Sequence, residues 1–270
     1  MIEIMEILLP LLGFLIGTVA SMVGVGGGVF IVPLLTLAYD FSPSNAVGTS
    51  LATIVFTSLA STANYSRQKR IYYKTGLILA ITTVPGAVLG AYLTSIMEAQ
   101  LLGLIFGFFV LLVALRMIFK LNFSKNRRVD TEKSNPIDSE RSLLECKNKV
   151  LLGVVLGFLG GLSSGLLGIG GGSLMVPIMV LAMGIPMHIT VATSMFTMIF
   201  TSTSGVIEHF RLDNIHFDYA LLLVLGTIFG AQLGAYASKR ISGRNLRRIF
   251  GLVLIIVSIR MILKYGLNSF

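Results

Sequence analysis

Charge is scarce in this 270-residue chain. Asp, Glu, Lys and Arg make up 12% of it, against 54% hydrophobic residues and a mean hydropathy of +0.87. Soluble domains carry roughly 25% charged residues. With half of that, a folded particle of this size lacks the side chains to coat itself in water, which excludes a soluble globular enzyme. Disorder needs the opposite bias and is excluded too. Cysteine is nearly missing: Cys146 stands alone, so there is neither a disulfide framework nor a multi-cysteine metal site. Three histidines, His188, His209 and His216, are too few and too scattered for a metal cluster. No carboxylate falls inside an apolar run, which removes the usual buried relay for protons or sodium. Neither glycine-rich motif is followed by Lys-Ser or Lys-Thr, so there is no phosphate loop for ATP. No cofactor is expected. What is left is a multi-pass membrane protein that is not an enzyme.

The net charge of +9 is unevenly placed. Basic residues gather at 67–74, 116–149 and 239–248, each beside a long apolar run. That is the pattern of cytoplasmic loops of a membrane protein, not of a nucleic-acid-binding face. The first residues carry Glu3 and Glu6 and no Lys or Arg, the reverse of a cleaved signal.

A slide of 144 residues lays 13–119 on 157–263 without a gap, with 38 identities in 107 positions, too many for shared apolar composition. Gly24-Val25-Gly26-Gly27-Gly28 meets Gly168-Ile169-Gly170-Gly171-Gly172, and Pro33 meets Pro177. Thr49-Ser50 meets Thr193-Ser194, and Arg116-Met117-Ile118 meets Arg260-Met261-Ile262. The expected organisation is an N-terminal transmembrane repeat (1–119), a polar cytoplasmic linker (120–149) and a C-terminal transmembrane repeat (150–270). Each repeat opens with a glycine-interrupted apolar stretch, 7–39 or 151–183. Three uninterrupted stretches follow, near 46–65, 75–95 and 100–119, then 190–209, 219–238 and 246–263. Each is close to the ~20 residues that cross a bilayer core. The fold class is therefore an all-α membrane protein of two homologous halves.

Parity decides how the halves are oriented. If the broken stretch enters and returns on one side, each half makes an odd number of crossings and the two are inverted. With both termini outside, only Arg211, Arg260 and Lys264 of the 21 Lys+Arg then lie outside. Four full crossings per half would put the cluster Lys239, Arg240, Arg244, Arg247 and Arg248 on the wrong face. The positive-inside rule favours inversion. Val29 to Tyr39 is roughly 16 Å of helix, too short to cross, whereas Ile7 to Val23 is long enough to do so.

Gly24, Gly26, Gly27 and Gly28, and their partners Gly168, Gly170, Gly171 and Gly172, cannot hold a helix, since each costs about 1 kcal/mol relative to alanine. Broken backbone inside a bilayer survives only when buried in protein or lining a wet cavity. The half-helix after each break offers unpaired N–H groups and a positive dipole end, an anion-binding arrangement. Close packing alone is the competing reading, as for Gly86/Gly90 and Gly230/Gly234. A dinucleotide fingerprint fails, because no strand precedes and no acid follows. The next span carries hydroxyls every four residues, on one face: Thr49, Thr53 and Thr57 with Ser50 and Ser58, then Thr193, Thr197 and Thr201 with Ser194 and Ser202. They either line a ligand path or bond to their own helix and its neighbours. Arg116 and Arg260 are read as snorkelling residues, Gln232 as an interhelical hydrogen-bonder and His209 as interfacial.

The duplicated G-x-G-G-G, the apolar run to Pro33 or Pro177, and the starts at Ala46–Ser50 and Thr190–Ser194 resemble the TauE/SafE (sulfite exporter, TSUP) family of prokaryotic permeases. The resemblance covers nearly the whole chain. It implies a secondary transporter moving sulfite, thiosulfate or an organosulfonate through the cytoplasmic membrane. It also implies that the glycine motifs and Thr-Ser pairs line the anion site. The second half has Thr190 where the first has Ala46, so the half-sites differ. The expected partners are a small anion and the lipid bilayer, with homodimerisation left open and nucleic acid excluded. Another anion, a cation or a neutral solute is the alternative cargo, and a membrane scaffold or sensor the alternative role.

Overall fold

The computed structural model describes residues 2–119, 147–238 and 244–266, which form ten helices and no strand. They are α1 (Ile2–Val23), α2 (Gly28–Ala38), α3 (Pro43–Arg67), α4 (Tyr73–Ile96) and α5 (Ala99–Phe119) in the first half. The second half has α6 (Lys147–Leu167), α7 (Gly172–Pro177), α8 (Met187–Arg211), α9 (Phe217–Ala237) and α10 (Arg244–Gly266). The linker expected at 120–149 lies, up to residue 146, outside the described residues.

Local chemistry sets the helix ends. Ser42 caps α3 by accepting the amide of Asn45, with Pro43 in the first helical position, where its missing N–H costs nothing. Gly27 and Gly171 enter α2 and α7 at φ of 101° and 79°, a left-handed conformation that resists a side chain. In α7, Pro177 has no amide to donate, and the helix relaxes into a π turn over Ile178–Ala182 before Gly184.

Four helices, α3, α4, α8 and α9, are long and apolar enough to cross a membrane. They differ in burial. The apolar windows of α3 and α8 are 67% buried and those of α4 and α9 only 44%, so α3 and α8 form the centre. On the outside Ile81, Phe108, Leu221, Phe229 and Ile256 stand more than 60% exposed. Such a belt is unfavourable in water and at home in hydrocarbon.

The halves are interleaved rather than side by side. On α1, Pro10, Phe14 and Thr18 lie against Gly226, Gly230 and Gly234 of α9, in that order, so these helices run parallel. Phe158 and Leu162 of α6 meet Gly86 and Gly90 of α4 in the same sense. These glycines let backbones touch, as their spacing implied: a Cβ at Gly90 or Gly234 would strike the carbonyl of Leu162 or Thr18. By contrast, Gly48 lies on His209 and Leu51 on Gly205, so α3 and its repeat equivalent α8 run in opposite directions. So do α5 and α10, with Gly103 on Tyr265 and Gly107 on Ile262.

This register shows where the broken stretch goes. Because α1 is parallel to α9, it sets out from the face where α9 begins. Phe41, just past α2, stacks on His216 and Tyr219 at that same start of α9, with ring centroids 4.6 and 4.9 Å apart. The chain thus returns to the face it left. On that face Lys264 donates to the Thr36 carbonyl at the end of α2 and to Asp40, each at 2.8 Å. The lysine's hydrogen bond, more than its charge, holds the Asp40 carboxyl below its usual range. At the other face the basic α3–α4 turn sits beside the end of α9: Gln68 donates to the Ala235 carbonyl and Arg70 to Ser238.

Candidate functional site

The two glycine loops meet at the centre. Gly24, Gly26 and Gly27 have φ of 81°, 82° and 101°; Gly168, Gly170 and Gly171 have 66°, 70° and 79°. Gly28 and Gly172 are required for a different reason. A Cβ on Gly28 would collide with the Gly168 carbonyl, and one on Gly172 with the Gly24 carbonyl, so each loop presses on the other half's loop. At the start of α2 the Phe30 and Ile31 amides donate to the Gly27 carbonyl, and at the start of α7 the Leu174 and Met175 amides donate to the Gly171 carbonyl.

Every hydroxyl of the predicted stripe is buried. Ser50 of α3 donates to the Gly168 carbonyl at 2.8 Å, and Ser194 of α8 to the Gly24 carbonyl at 3.1 Å. These exchange-equivalent bonds tie each central helix to the opposite loop. Thr49 accepts the His216 amide at 3.1 Å and Thr193 the Tyr72 amide at 3.0 Å, capping the starts of α9 and α4. Thr53, Thr57, Thr197 and Thr201 each donate to the carbonyl four residues back. Of the two readings of the stripe, bonding within the protein is the one this conformation displays. Ser58 likewise bonds Val55. Ser202 differs: its hydroxyl is buried without a partner among the described residues, and lies 3.2 Å from where a Cβ on Gly170 would stand.

The structure adds residues that carried no signal in sequence. Met198 of α8 and Ile54 of α3, 144 positions apart, converge between the loops. Gly26 faces the Met198 methyl and the Ile54 Cγ2, and Gly170 faces the same two groups. Apolar residues within apolar helices are invisible to a motif search, and only the crossing of α3 with α8 brings them to one point.

Other expectations resolve individually. Gln232 does bond between helices, donating to the Ala60 carbonyl at 2.8 Å and accepting from Asn64 at 3.1 Å. Arg260 is exposed near the end of α10, and the side chain of Arg116 lies outside the described residues. His209 is not interfacial. It is fully buried, with Nε2 3.1 Å from the Gly165 carbonyl, because the last turn of α8 tucks under α6.

Valine for threonine at 49 or 193 keeps volume and removes the acceptor of a helix-start amide. Each change is expected to cost about 1–3 kcal/mol, read as a fall in Tm of the purified protein. An unchanged Tm would mean that water reaches the amide.

A polytopic α-helical membrane transporter, built from two interlocked repeats around a pair of broken helices, is the class this architecture defines. The family model described as sulfite exporter TauE/SafE matches residues 9–261, and the chain belongs to that family. The probable membrane transporter protein YunE of Bacillus subtilis is 36% identical over 267 residues, covering 95% of this chain and 97% of its own. YjnA of the same organism, named likewise, is 29% identical, covering 96% and 100%. A probable membrane transporter protein of Methanocaldococcus jannaschii is 28% identical, covering 95% and 96%. No solved structure matches the chain.

Proposed function

We propose that this transporter carries a small sulfur-containing anion, sulfite, thiosulfate or an organosulfonate, through the cytoplasmic membrane by alternating access between the glycine loops. The observation that carries the reading is the unpartnered hydroxyl of Ser202 beside Gly170, where the two helix starts converge. A buried hydroxyl without a partner is an unfavourable arrangement that an arriving acceptor relieves. Two of the loop carbonyls that could draw a cation, those of Gly24 and Gly168, already accept from Ser194 and Ser50. Each helix start adds about 0.3–1 kcal/mol toward a negative charge, more when desolvated. Neutral donors of this kind, supplied by Gly26–Gly28, Gly170–Gly172 and the Thr-Ser pairs, hold an anion weakly enough to release it. Gly24 and Gly168, whose amides donate to the Ala20 and Ser164 carbonyls, shape the loops. The conformation described is closed, with Ile54 and Met198 between the loops. Transport then requires the loops to part and Ser50 and Ser194 to let go of their carbonyls.

The opposite directions of α3 and α8, and of α5 and α10, support inversion across the bilayer, with the basic loops inside. Cys146 tests this. A membrane-impermeant maleimide is expected to miss it in intact cells and to label it after permeabilisation, and labelling of intact cells would reverse the topology. The function is tested by flux of labelled thiosulfate, sulfite and taurine in proteoliposomes. Saturable flux of a cation or neutral solute, with no response to any sulfur anion, would overturn the substrate reading.

A further inference from the structure

Tyr65 and His209 occupy equivalent places in the two repeats, 144 residues apart. Tyr65 donates through its hydroxyl to the Ser21 carbonyl at 2.7 Å, and His209 through Nε2 to the Gly165 carbonyl at 3.1 Å. Ser21 and Gly165 are equivalents too, each three residues ahead of its glycine break. Both side chains thus latch the last turn before a broken loop. They differ in one chemical respect: a phenol has nothing further to offer near neutral pH, whereas an imidazole has a second nitrogen.

The hydrogen bonds define the tautomer. A carbonyl only accepts, so Nε2 carries the hydrogen. Nδ1 is then a lone pair, and the Asn214 side-chain amide faces it at 3.3 Å. Among the described residues, His209 is the one Asp, Glu, His, Lys or Arg side chain that is fully buried. Glu208 and Arg211 on its own helix, paired with each other at 3.5 Å, and Asp213 and His216 on the following segment are the ionisable groups around it. Neither α3, through Gly48 and Asn45, nor α6, between 151 and 167, brings an acidic or basic side chain toward it.

We infer that His209 is a proton-binding site that couples proton entry to opening of the second glycine loop. This rests on the transporter reading of the site. A proton taken up at Nδ1 makes both ring nitrogens donors. The Asn214 amide then opposes a donor and must turn away. Asn214 is a junction: its amide donates to the His209 carbonyl at 3.0 Å, its carbonyl presses on Gly48, and two residues on the His216 amide is held by Thr49. Loosening it frees the starts of α3 and α9 on the face opposite the basic turn. An imidazolium sealed in an apolar interior is strongly unfavourable, and an anion between the loops, or water entering behind it, relieves that. Proton and anion thereby favour each other's binding. The Tyr65 latch cannot take part, so coupling resides in the C-terminal half.

The test compares wild type with His209→Gln, whose amide N–H still reaches a carbonyl but which has no base, and with His209→Tyr, which installs the other repeat's latch. In nanodiscs, ¹⁵N-histidine spectra are expected to show the His209 ring gaining a proton as the pH falls, and at a higher pH with thiosulfate present than without it, assigned by removing His188 and His216 as glutamines. Hydrogen exchange over 160–172 and 209–216 is expected to be faster in wild type than in His209→Gln at acid pH, and equal at alkaline pH. In proteoliposomes, thiosulfate is the probe because it remains a dianion over this range. His209→Gln is expected to lose accumulation driven by a pH gradient at least about fivefold, the low end for coupled sites, while keeping thiosulfate counterflow. A His209 ring that stays neutral throughout, or a glutamine variant with the wild-type pH profile, overturns the proposal. Should wild type move no thiosulfate, thiosulfate alone is excluded as cargo, while the spectra and the exchange still judge the proton site. If neither variant folds, the wild-type titration decides alone.

Discussion

Alanine at Gly28, or at Gly172, is expected to remove most folded protein from the membrane. Neither position has a left-handed backbone, so strain in φ is not the cause. A Cβ at Gly28 would run into the Gly168 carbonyl and stand 2.7 Å from the Ile169 Cα; at Gly172 it would meet the Gly24 carbonyl and the Met198 sulfur at 2.6 Å. Most of these are backbone atoms, which have no rotamer to escape into. The loops must separate, which also breaks the Ser50 and Ser194 bonds. Overpacking typically costs about 1–3 kcal/mol, and each lost hydrogen bond adds roughly 0.5–1.5. Gly184→Ala is the control: φ is 74° but nothing lies within 4 Å, leaving only the ~1–2 kcal/mol of a left-handed residue. Fluorescence-detected size exclusion and Tm give the order, with Gly28 and Gly172 far below Gly184. A Gly28→Ala protein as stable as wild type would mean that the loops are not in contact.

The second large effect is expected at Met198. Its methyl and the Ile54 Cγ2 fill the point between Gly26 and Gly170, on the pathway proposed for the cargo. Met198→Ile makes the pair symmetric and, as a near volume-conserving swap, is expected to cost under about 1.5 kcal/mol. Met198→Ala leaves a gap, at about 2–5 kcal/mol of stability, and lowers the barrier to passage. Each ~1.4 kcal/mol taken from that barrier raises flux about tenfold. Met198→Ala is therefore expected to leak thiosulfate at least about tenfold faster than wild type, and Met198→Phe to block it. Folded Met198→Ala protein with wild-type flux and selectivity would place the pathway elsewhere.

Much of this protein is written locally. The scarcity of charge makes it a membrane protein, the offset of 144 makes it a duplication, and apolar runs of near-span length put the long helices close to where they lie. The four glycines in five residues break each first helix wherever the rest of the chain goes, because the cost is paid within the segment itself. Small residues four apart announce close packing, and a glutamine in an apolar span announces a partner, though not that it is Asn64. Threonines four apart already imply donation to the preceding turn, a bond made within one helix. What only the tertiary structure decided are contacts between residues far apart in the chain, 44 positions for His209 and Gly165 and 118 for Ser50 and Gly168. Ser50 reaches the Gly168 carbonyl, Met198 meets Ile54 between the loops, and His209 disappears beneath α6 although it stands at the end of a span. No sequence period encodes these, because they arise from the antiparallel crossing of α3 and α8 and, for His209, from the meeting of α8 with α6 inside the second half. That packing gives Ser50 and Ser194 their acceptors in the opposite loops and leaves Ser202 without one among the described residues.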